Sequence, residues 1–289
     1  MGLKIIVLAK QVPDTRNVGK DAMKEDGTVN RAALPAIFNP EDLNALEQAL
    51  QLKDRYEGST VTLLTMGPPR AADIIREGLF RGADGGYLLT DRVFAGADTL
   101  ATSYALSMAI RKIGKFDLII SGRQAIDGDT AQVGPQVAEK LGLSQITYAE
   151  EIRSAENGKI CVKRRLEHGI EVVEGKLPIL VTVNGSAPSC RPRNAKLLQR
   201  YKYAKTASEK QAAAESQTPV FGNRGVEIAE WSAAYVDADP QQCGLSGSPT
   251  KVKKIENIVF QAKESKTFDD SDAQIEGLIV ELINNHTIG

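Results

Sequence analysis

Residues 3–9 have the sequence Leu-Lys-Ile-Ile-Val-Leu-Ala, an almost unbroken apolar run at the start of the chain. Short runs of this kind, rich in Val, Ile and Leu, are typical of strands that are covered on both faces. Three similar runs follow, separated by longer amphipathic stretches. The predicted strands are residues 3–9, 60–65, 86–89 and 117–121, and the predicted helices are residues 40–56, 69–82, 99–113 and 131–141. This alternation predicts a parallel, doubly wound α/β sheet with helices on both faces.

The pattern changes in the second half of the chain, where apolar runs follow one another without helices between them. We expect these runs to form an antiparallel extension of the same core: residues 147–152, 159–166, 170–173 and 179–183. Residues 207–217 are polar and resemble a solvated linker. Beyond them the apolar patches, around Trp231 and over residues 255–260 and 275–283, are too sparse for an independent core. We therefore expect an α/β domain over residues 1–205 and, over residues 206–289, a linker and an extended C-terminal arm that lies on a partner.

Composition excludes several classes of function. Lys and Arg number 36 against 37 Asp and Glu, so nothing indicates a nucleic-acid-binding protein or attraction to an anionic membrane. The three cysteines are widely spaced and form no CxxC pair, which argues against a disulfide framework and against iron–sulfur or zinc sites. The first apolar run is far too short to span a bilayer and has no charged region before it. We expect a cytoplasmic protein without membrane insertion.

The strongest local motif is Gln-Ala-Ile-Asp-Gly-Asp-Thr-Ala-Gln-Val-Gly-Pro, residues 124–135, directly after a predicted strand. A turn that opens a helix presents free N–H groups and the positive end of the helix dipole, which favour a phosphate. Gly128 permits close approach of the backbone, and Thr130 and Gln132 offer hydrogen bonds. Simple capping of the helix by Asp129 or Thr130 explains the same residues equally well. The motif is neither a Walker A loop nor a GxGxxG fingerprint.

Two other segments also join a loop to a predicted helix. In residues 38–47, Asn39 stands at the N-cap position and Pro40 at the first helical position. Residues 95–103 combine Gly, Ala, Asp, Thr and Ser in the same kind of junction. In residues 38–47 capping alone explains nearly every residue. Residues 95–103 follow a predicted strand and are suited to hold a nucleotide, because ligands of parallel sheets bind at the carboxyl ends of the strands. Helix capping alone remains the alternative for this second segment.

Catalytic constellations are missing from the sequence. The only two histidines, His168 and His286, lie away from the predicted ligand-binding edge of the sheet, and neither Cys161 nor Cys190 has a nearby histidine. No metal site, histidine-based triad or GxSxG elbow can be assembled. A nucleotide site without acid–base groups indicates a binding or carrier protein, whose chemistry would belong to a cofactor.

The segment Val-Lys-Arg-Arg-Leu-Glu-His-Gly-Ile-Glu-Val-Val, residues 162–173, followed by Leu-Pro-Ile-Leu-Val-Thr, residues 177–182, resembles the signature of electron-transfer flavoprotein β-subunits. The resemblance extends over nearly the whole chain, including residues 9–14, Asn39-Pro40 and residues 124–127. His168 departs from the signature, which usually has Gly or an acidic residue there. This position lies on a predicted hairpin, so we expect no functional consequence.

The resemblance implies an adenine-nucleotide-binding sheet in a heterodimer whose α-subunit carries a redox-active FAD. Carried over by position, the implied nucleotide contacts are Ala9; Asn39, Pro40, Glu41 and Asp42; Met66; and residues 127–138, which include Asp127, Gly128, Asp129, Thr130, Ala131, Gln132, Val133, Gly134 and Pro135. Residues 192–197 resemble the recognition loop that docks on partner dehydrogenases, with Arg193 in the loop and Leu197 as its apolar anchor. The alternative for Leu197 is an ordinary helix core residue.

The family has two branches, and the resemblance points to the second. In ordinary members the β-subunit holds AMP as a structural ligand. In electron-bifurcating members it holds FAD, which takes a hydride from NADH and passes electrons to ferredoxin or flavodoxin and, through the α-subunit FAD, to an acyl-CoA dehydrogenase-type acceptor. Residues 66–70, 91–103 and 244–252 resemble segments typical of this branch. They imply further cofactor contacts at Gly96, Asp98, Thr99 and Thr102.

Three functions therefore remain open from the sequence. The first is an electron carrier with NADH-oxidising flavin chemistry, the second is a non-bifurcating carrier with AMP, and the third is an adenylate-binding sensor without a redox role. The flavin content of the protein complex distinguishes them.

Overall fold

The computed structural model describes residues 2–14, 35–215, 227–250, 265–285 and 287–288. Its strands are β1 (Lys4–Leu8), β2 (Gln11–Pro13), β3 (Ala36–Phe38), β4 (Thr60–Met66), β5 (Gly85–Leu89), β6 (Leu118–Gly122), β7 (Ser144–Glu156), β8 (Lys159–Leu166), β9 (Gly169–Lys176), β10 (Ile179–Val183) and β11 (Ala229–Trp231). Its helices are α1 (Pro40–Arg55), α2 (Ala72–Arg81), α3 (Thr99–Ile113), α4 (Val133–Leu141), α5 (Ala195–Tyr201), α6 (Ala207–Glu215) and α7 (Asp272–Asn284).

Strand β1 lies in the middle of the sheet, and its side chains alternate between two cores. Ile5 and Val7 pack with α1 on one face, whereas Ile6 and Leu8 pack with α3 and α4 on the other. A strand with both faces buried needs apolar residues throughout, which explains the unbroken run in the sequence. The predicted doubly wound parallel sheet is confirmed.

The strand order locates the ligand-binding edge of this sheet. The nine strands lie in the order β11-β5-β4-β1-β6-β10-β7-β8-β9. From β1 the chain proceeds outward through β4 and β5, and then returns to place β6 on the other side of β1. The order therefore reverses between β1 and β6, and in sheets of this type ligands bind outside the carboxyl ends of the strands at that point.

The antiparallel extension is confirmed for three strands and wrong for the fourth. Strands β7, β8 and β9 pair antiparallel at one edge of the sheet. Strand β10, Ile179–Val183, instead lies parallel between β6 and β7. All five of its residues are buried, as an inner strand requires. The first residues of β7 pair in parallel with β10, and after a register shift its later residues pair with β8.

Parts of the C-terminal segment pack on the same sheet. Residues 207–215, which we expected to be a solvated linker, form helix α6, and Glu209 in it accepts hydrogen bonds from Arg76 at 2.9 Å. Strand β11 extends the sheet beyond β5, and the ring of Trp231 lies 4.1 Å from that of Tyr87. The division of the chain at residue 205 stays a prediction, and the apolar patch at residues 255–260 lies outside the described residues.

Helix α7 has no buried side chain. Ile275, Ile279 and Ile283 follow one another at four-residue intervals, and each is between 43% and 51% exposed. This spacing places them in one apolar stripe along the helix. Among the described residues, no helix has the length and apolar character needed to cross a membrane.

Candidate functional site at the carboxyl ends of β1 and β6

The first turn of α1 connects the two strands at the reversal point. The buried Asp42 carboxylate accepts the backbone N–H of Lys10, just after β1, at 2.8 Å and that of Gly122, at the end of β6, at 3.0 Å. Glu41 accepts the backbone N–H of Gln124 at 2.9 Å. The turn therefore fixes the backbone on both sides of the crevice.

Asn39 stands at the predicted N-cap position of α1 but its side chain does not cap the helix. Its amide donates to the carbonyl of Gln124 at 2.9 Å, and its Oδ1 accepts the N–H of Ile126 at 3.2 Å. The side chain therefore binds the loop that follows β6 and does not bind the N–H groups of the first turn of α1. For this reason the interpretation of Asn39 as a side-chain cap is wrong. Pro40 occupies the first helical turn as predicted.

One acidic side chain of this loop, Asp127, is paired with a cation of the protein. Lys10 Nζ lies 2.7 Å from Asp127, so the carboxylate is neutralised at the mouth of the crevice. Burial raises the pKa of Asp42 to about 7, although hydrogen bonds from Lys10, Asn39 and Gly122 oppose the rise, and the neighbouring charge of Glu41 adds to it. Lys10 was not singled out from the sequence, and its position directly after a strand was the available signal.

The loop from residue 124 to residue 132 has a strained backbone. Asp129 (φ 49°) and Ala131 (φ 52°) both adopt left-handed conformations that side chains disfavour. Such strain is concentrated at ligand sites, where the surrounding structure imposes it. Asp129 accepts a hydrogen bond from Gln124 at 2.9 Å. Gly128 lies between the two acidic residues, and a Cβ added there would meet no atom within 4 Å.

Helix α4 begins at Val133, two residues later than predicted, because the left-handed Ala131 cannot be part of a helix. Gln132 takes the N-cap position without a side-chain hydrogen bond to the helix. The alternative in which Asp129 or Thr130 caps this helix therefore has no support in the structure. The N–H groups in the first turn of α4 therefore have no side-chain acceptor. Pro135, in the same turn, has no N–H group.

Two buried hydroxyls near the carboxyl ends of strands also lack partners, and one of them, Ser121, lies against this helix start. Thr65 Oγ1, near the end of β4, and Ser121 Oγ, near the end of β6, make no hydrogen bond within the described residues. A Cβ at Gly134 would lie 3.0 Å from Ser121 Oγ and 2.7 Å from Thr182 Cγ2, so α4 begins directly against these strands. Buried polar atoms are normally satisfied, and Ser121 Oγ, beside the helix start, fits a polar ligand or ordered water. Neither residue was predicted, although both are polar residues at strand ends.

The segment 95–103 lies beside this loop. Thr99 Oγ1 donates to Gln132 Oε1 at 2.8 Å, so the starts of α3 and α4 are adjacent. Asp98, in contrast, caps α3 through the N–H groups of Leu100 and Ala101, and it also accepts two hydrogen bonds from Thr250. Burial is the largest influence on the Asp98 pKa and raises it, but these hydrogen bonds together hold the pKa below its usual value.

The remaining predicted contacts surround the same edge. Ala9 is buried and donates its N–H to the carbonyl of Leu64, and Met66 is half-buried at the end of β4. Thr130 is exposed on the loop, and Thr102 is half-buried in α3. Gly96 has a left-handed backbone (φ 73°), where a Cβ would lie 2.7 Å from Leu245 Cγ, so it packs against the 244–250 segment.

The predicted docking loop lies at the opposite, amino end of the sheet. Arg193 forms an ion pair with Glu77 at 2.7 Å, and Arg191 binds Glu47 at 3.0 Å. Leu197 is half-buried against a cluster that includes Tyr201. The loop and the ends of α1 and α2 surround a depression of about 540 Å³. The structure therefore separates Arg193 and Leu197 from the crevice.

No group of three or more His, Cys, Asp or Glu side chains suited to a metal ion occurs in the part of the chain that the structure describes. His168 lies in the turn between β8 and β9, and His286 is outside the described residues.

Comparison with known proteins gives the family. The model of the electron transfer flavoprotein domain matches residues 26–218. Subunit beta of the electron transfer flavoprotein from Megasphaera elsdenii is 47% identical over 259 residues, covering 88% of this chain and 87% of that protein. The caffeyl-CoA reductase-Etf complex subunit CarD from Acetobacterium woodii is 43% identical over 250 residues, covering 86% of each. Protein FixA from Bradyrhizobium diazoefficiens is 41% identical over 281 residues, covering 95% of this chain and 89% of that protein. The chain therefore belongs to the electron-transfer flavoproteins, as a β-type subunit of the kind that pairs with an α-subunit.

Proposed function

We propose that the crevice at the ends of β1 and β6 binds FAD and that the protein is the β-subunit of an electron-bifurcating flavoprotein. The observation that carries this proposal is the uncapped start of α4, which lies against the unpartnered hydroxyl of Ser121. Helix starts of this kind bind phosphate groups through backbone N–H groups and the helix dipole.

The acidic residues of the loop do not oppose an anionic ligand. Asp127 is paired with Lys10, and Asp129 accepts a hydrogen bond from Gln124. The phosphates would therefore contact the N–H groups of Val133 and Gly134, with Thr130 offering a hydroxyl from the loop. Gly128 has open space where a side chain would stand, so ligand and backbone can approach closely.

A dinucleotide requires more space than AMP, and the start of α3 supplies it. The hydrogen bond between Thr99 and Gln132 joins this second helix start to the first. Asp98 holds the 244–250 segment and not the ligand, since its oxygens already bind α3 and Thr250. When bound, FAD would supply the acceptor for a hydride from NADH and the centre for single-electron transfer. The protein's own part is to bind, orient and shield it.

Support for bifurcation also comes from the segments that resemble that branch. Residues 91–98 and 244–250, distant in sequence, contact each other through Asp98 and Thr250 and through Gly96 and Leu245. One similar protein belongs by name to a caffeyl-CoA reductase-Etf complex. We propose ferredoxin or flavodoxin as the low-potential acceptor, an acyl-CoA dehydrogenase-type enzyme as the second acceptor, and the cytoplasm as the location.

The test is anaerobic reduction of ferredoxin by NADH with the purified heterodimer. Bifurcation predicts that ferredoxin is reduced only when the dehydrogenase and its enoyl-CoA substrate are also present. Electron transfer to the dehydrogenase that never requires ferredoxin would favour the non-bifurcating, AMP-containing alternative. A heterodimer that contains no flavin at all would favour an adenylate sensor.

We further propose that the C-terminal arm binds the α-subunit through α7. The stripe formed by Ile275, Ile279 and Ile283 is exposed in the isolated chain, and an ordered helix gains little stability without burying such a stripe. Limited proteolysis of the isolated β-subunit should cut within residues 222–289, whereas the heterodimer should resist. Equal resistance of both would contradict this contact. Ile279→Asp should restore the cleavage in the heterodimer, and Glu276→Gln on the same helix serves as the control.

A further inference from the structure

Asp42 differs from the other acidic side chains of the crevice because it is buried and forms no ion pair with any cation of the described residues. Its Oδ2 accepts the N–H of Lys10 and its Oδ1 accepts that of Gly122. These residues follow β1 and end β6, the two strands between which the sheet order reverses. The side chain of Asn39 also hydrogen-bonds to the carboxylate.

This arrangement requires an ionised carboxylate. Two backbone donors approach its two oxygens, and a protonated or amidated side chain has only one oxygen free of hydrogen. An O–H or NH₂ group would then face a backbone N–H, and one of the two contacts would be lost. Burial favours the protonated carboxyl group instead, because it penalises the charged form.

We infer that Asp42 is a positioning residue, whose ionised form holds the ends of β1 and β6 at the spacing that the nucleotide needs and whose protonation weakens nucleotide binding. This inference rests on the proposed binding of a nucleotide in the crevice. Protonation releases Lys10 or Gly122, and these residues lead directly into the walls of the site. The pKa of Asp42, raised to about 7 by burial, places this change near neutral pH.

The charged groups around Asp42 lie on its own helix, after β1 and after β6. Glu41, on the same helix, repels it and also lies 3.4 Å from Arg123 of the loop after β6. Lys10, after β1, directs its Nζ to Asp127 rather than to Asp42. Asp42 is thus a buried carboxylate that accepts hydrogen bonds from neutral donors, and no ion pair among the described residues offsets its charge.

The chain contains a matched control at the other end of the same two strands. Asp117, just before β6, accepts the N–H of Lys4, the first residue of β1, at 2.8 Å. Asp117 is therefore also a carboxylate that links β1 to β6 through a backbone N–H, but at the edge away from the crevice.

The experiment measures FAD binding by the αβ heterodimer, after removal of the β-subunit nucleotide, between pH 6 and pH 8. FAD is preferred to AMP because a monophosphate itself titrates near pH 6. If only the ionised form is competent and the pKa is about 7, affinity should be about tenfold weaker at pH 6 than at pH 8. Asp42→Asn should bind weakly at both pH values, and Asp117→Asn should behave like the unmodified protein. Affinity that is independent of pH, or stronger at pH 6, would overturn the inference.

A second measurement does not depend on any ligand. Hydrogen exchange of the Lys10 and Gly122 amides should accelerate in Asp42→Asn and remain slow in Asp117→Asn. Unchanged protection of both amides in Asp42→Asn would refute the positioning role even if FAD binds. A different outcome is that the unmodified heterodimer binds no FAD at any pH while the exchange result is as expected. This outcome would refute the proposed function and the effect of Asp42 on nucleotide binding. Only the role of Asp42 in holding the ends of β1 and β6 would then remain.

Discussion

The crevice at the carboxyl ends of the strands and the docking loop at their amino ends are held by different interactions. The docking loop is fixed by charge: Glu47 binds Arg191, and Glu77 binds Arg193. The backbone around the crevice is fixed mainly by hydrogen bonds: Asn39 donates to a carbonyl of the loop, and Glu41 and Asp42 accept backbone N–H groups, beside the ion pair of Lys10 with Asp127. The docking loop satisfies its own charges, whereas the crevice keeps strained residues and unpartnered hydroxyls. This difference is expected if, as proposed, the crevice is a site that a ligand completes.

The largest effect should follow from breaking the docking loop. In Glu47→Gln, Arg191 loses a partner whose side chain is only 9% exposed, while Arg191 itself is about one third exposed. We expect a loss of about 2–3 kcal/mol, less than for a fully buried pair because solvent screens the arginine. Thermal unfolding and hydrogen exchange of residues 191–194 should report it, with nucleotide content unchanged. Loss of the nucleotide would show that the two regions are not independent.

The same variant gives a pH dependence with a defined sign. Burial raises the pKa of Glu47, but hydrogen bonds from Arg191 outweigh burial and hold the pKa below its usual value. A lowered pKa adds stability above the unfolded-state value, and this stability disappears as pH falls through the folded-state value. The difference in stability between the unmodified protein and Glu47→Gln should therefore shrink below about pH 4.5. A difference that grows on acidification would contradict the ion pair.

The crevice offers two glycines that should behave differently. A Cβ at Gly134 would lie 2.7 Å from Thr182, so Gly134→Val should cost about 1–3 kcal/mol through overpacking and should also expel the nucleotide. Gly128→Val meets open space, so it should leave the unfolding temperature of the nucleotide-free protein unchanged and still remove the nucleotide. Both losses are measured by extraction of bound nucleotide, with the α-subunit flavin as the internal standard. Full occupancy in Gly128→Val would place the phosphate site elsewhere.

The smallest effect concerns the apolar anchor of the docking loop. Leu197→Ala should slow electron delivery to the dehydrogenase by about 5- to 30-fold, equivalent to about 1–2 kcal/mol of docking energy, without loss of nucleotide. Leu197 is half-buried, and its neighbour Leu198 is 37% exposed. Leu198→Ala is therefore the matched variant. If only Leu198→Ala slows transfer, Leu197 is a helix core residue and Leu198 is the anchor.

The sequence predicted the features that depend on local pattern. The four apolar runs and the intervening helices were found because periodicity reports burial directly. The parallel placement of Ile179–Val183 and the pairing of Ala229–Trp231 with β5 were missed, since pairing between distant strands leaves no local signal. In the site, the bonds between Asp98 and Thr250 were missed, because they depend on a contact between residues 152 positions apart. The pairing of Lys10 with Asp127 was missed for the same reason.

The cofactor content of the heterodimer shows whether the crevice holds a second FAD. Purified αβ heterodimer is denatured, and the released FAD and AMP are counted against protein. We predict two FAD and no AMP for each αβ pair. One FAD together with one AMP would contradict it.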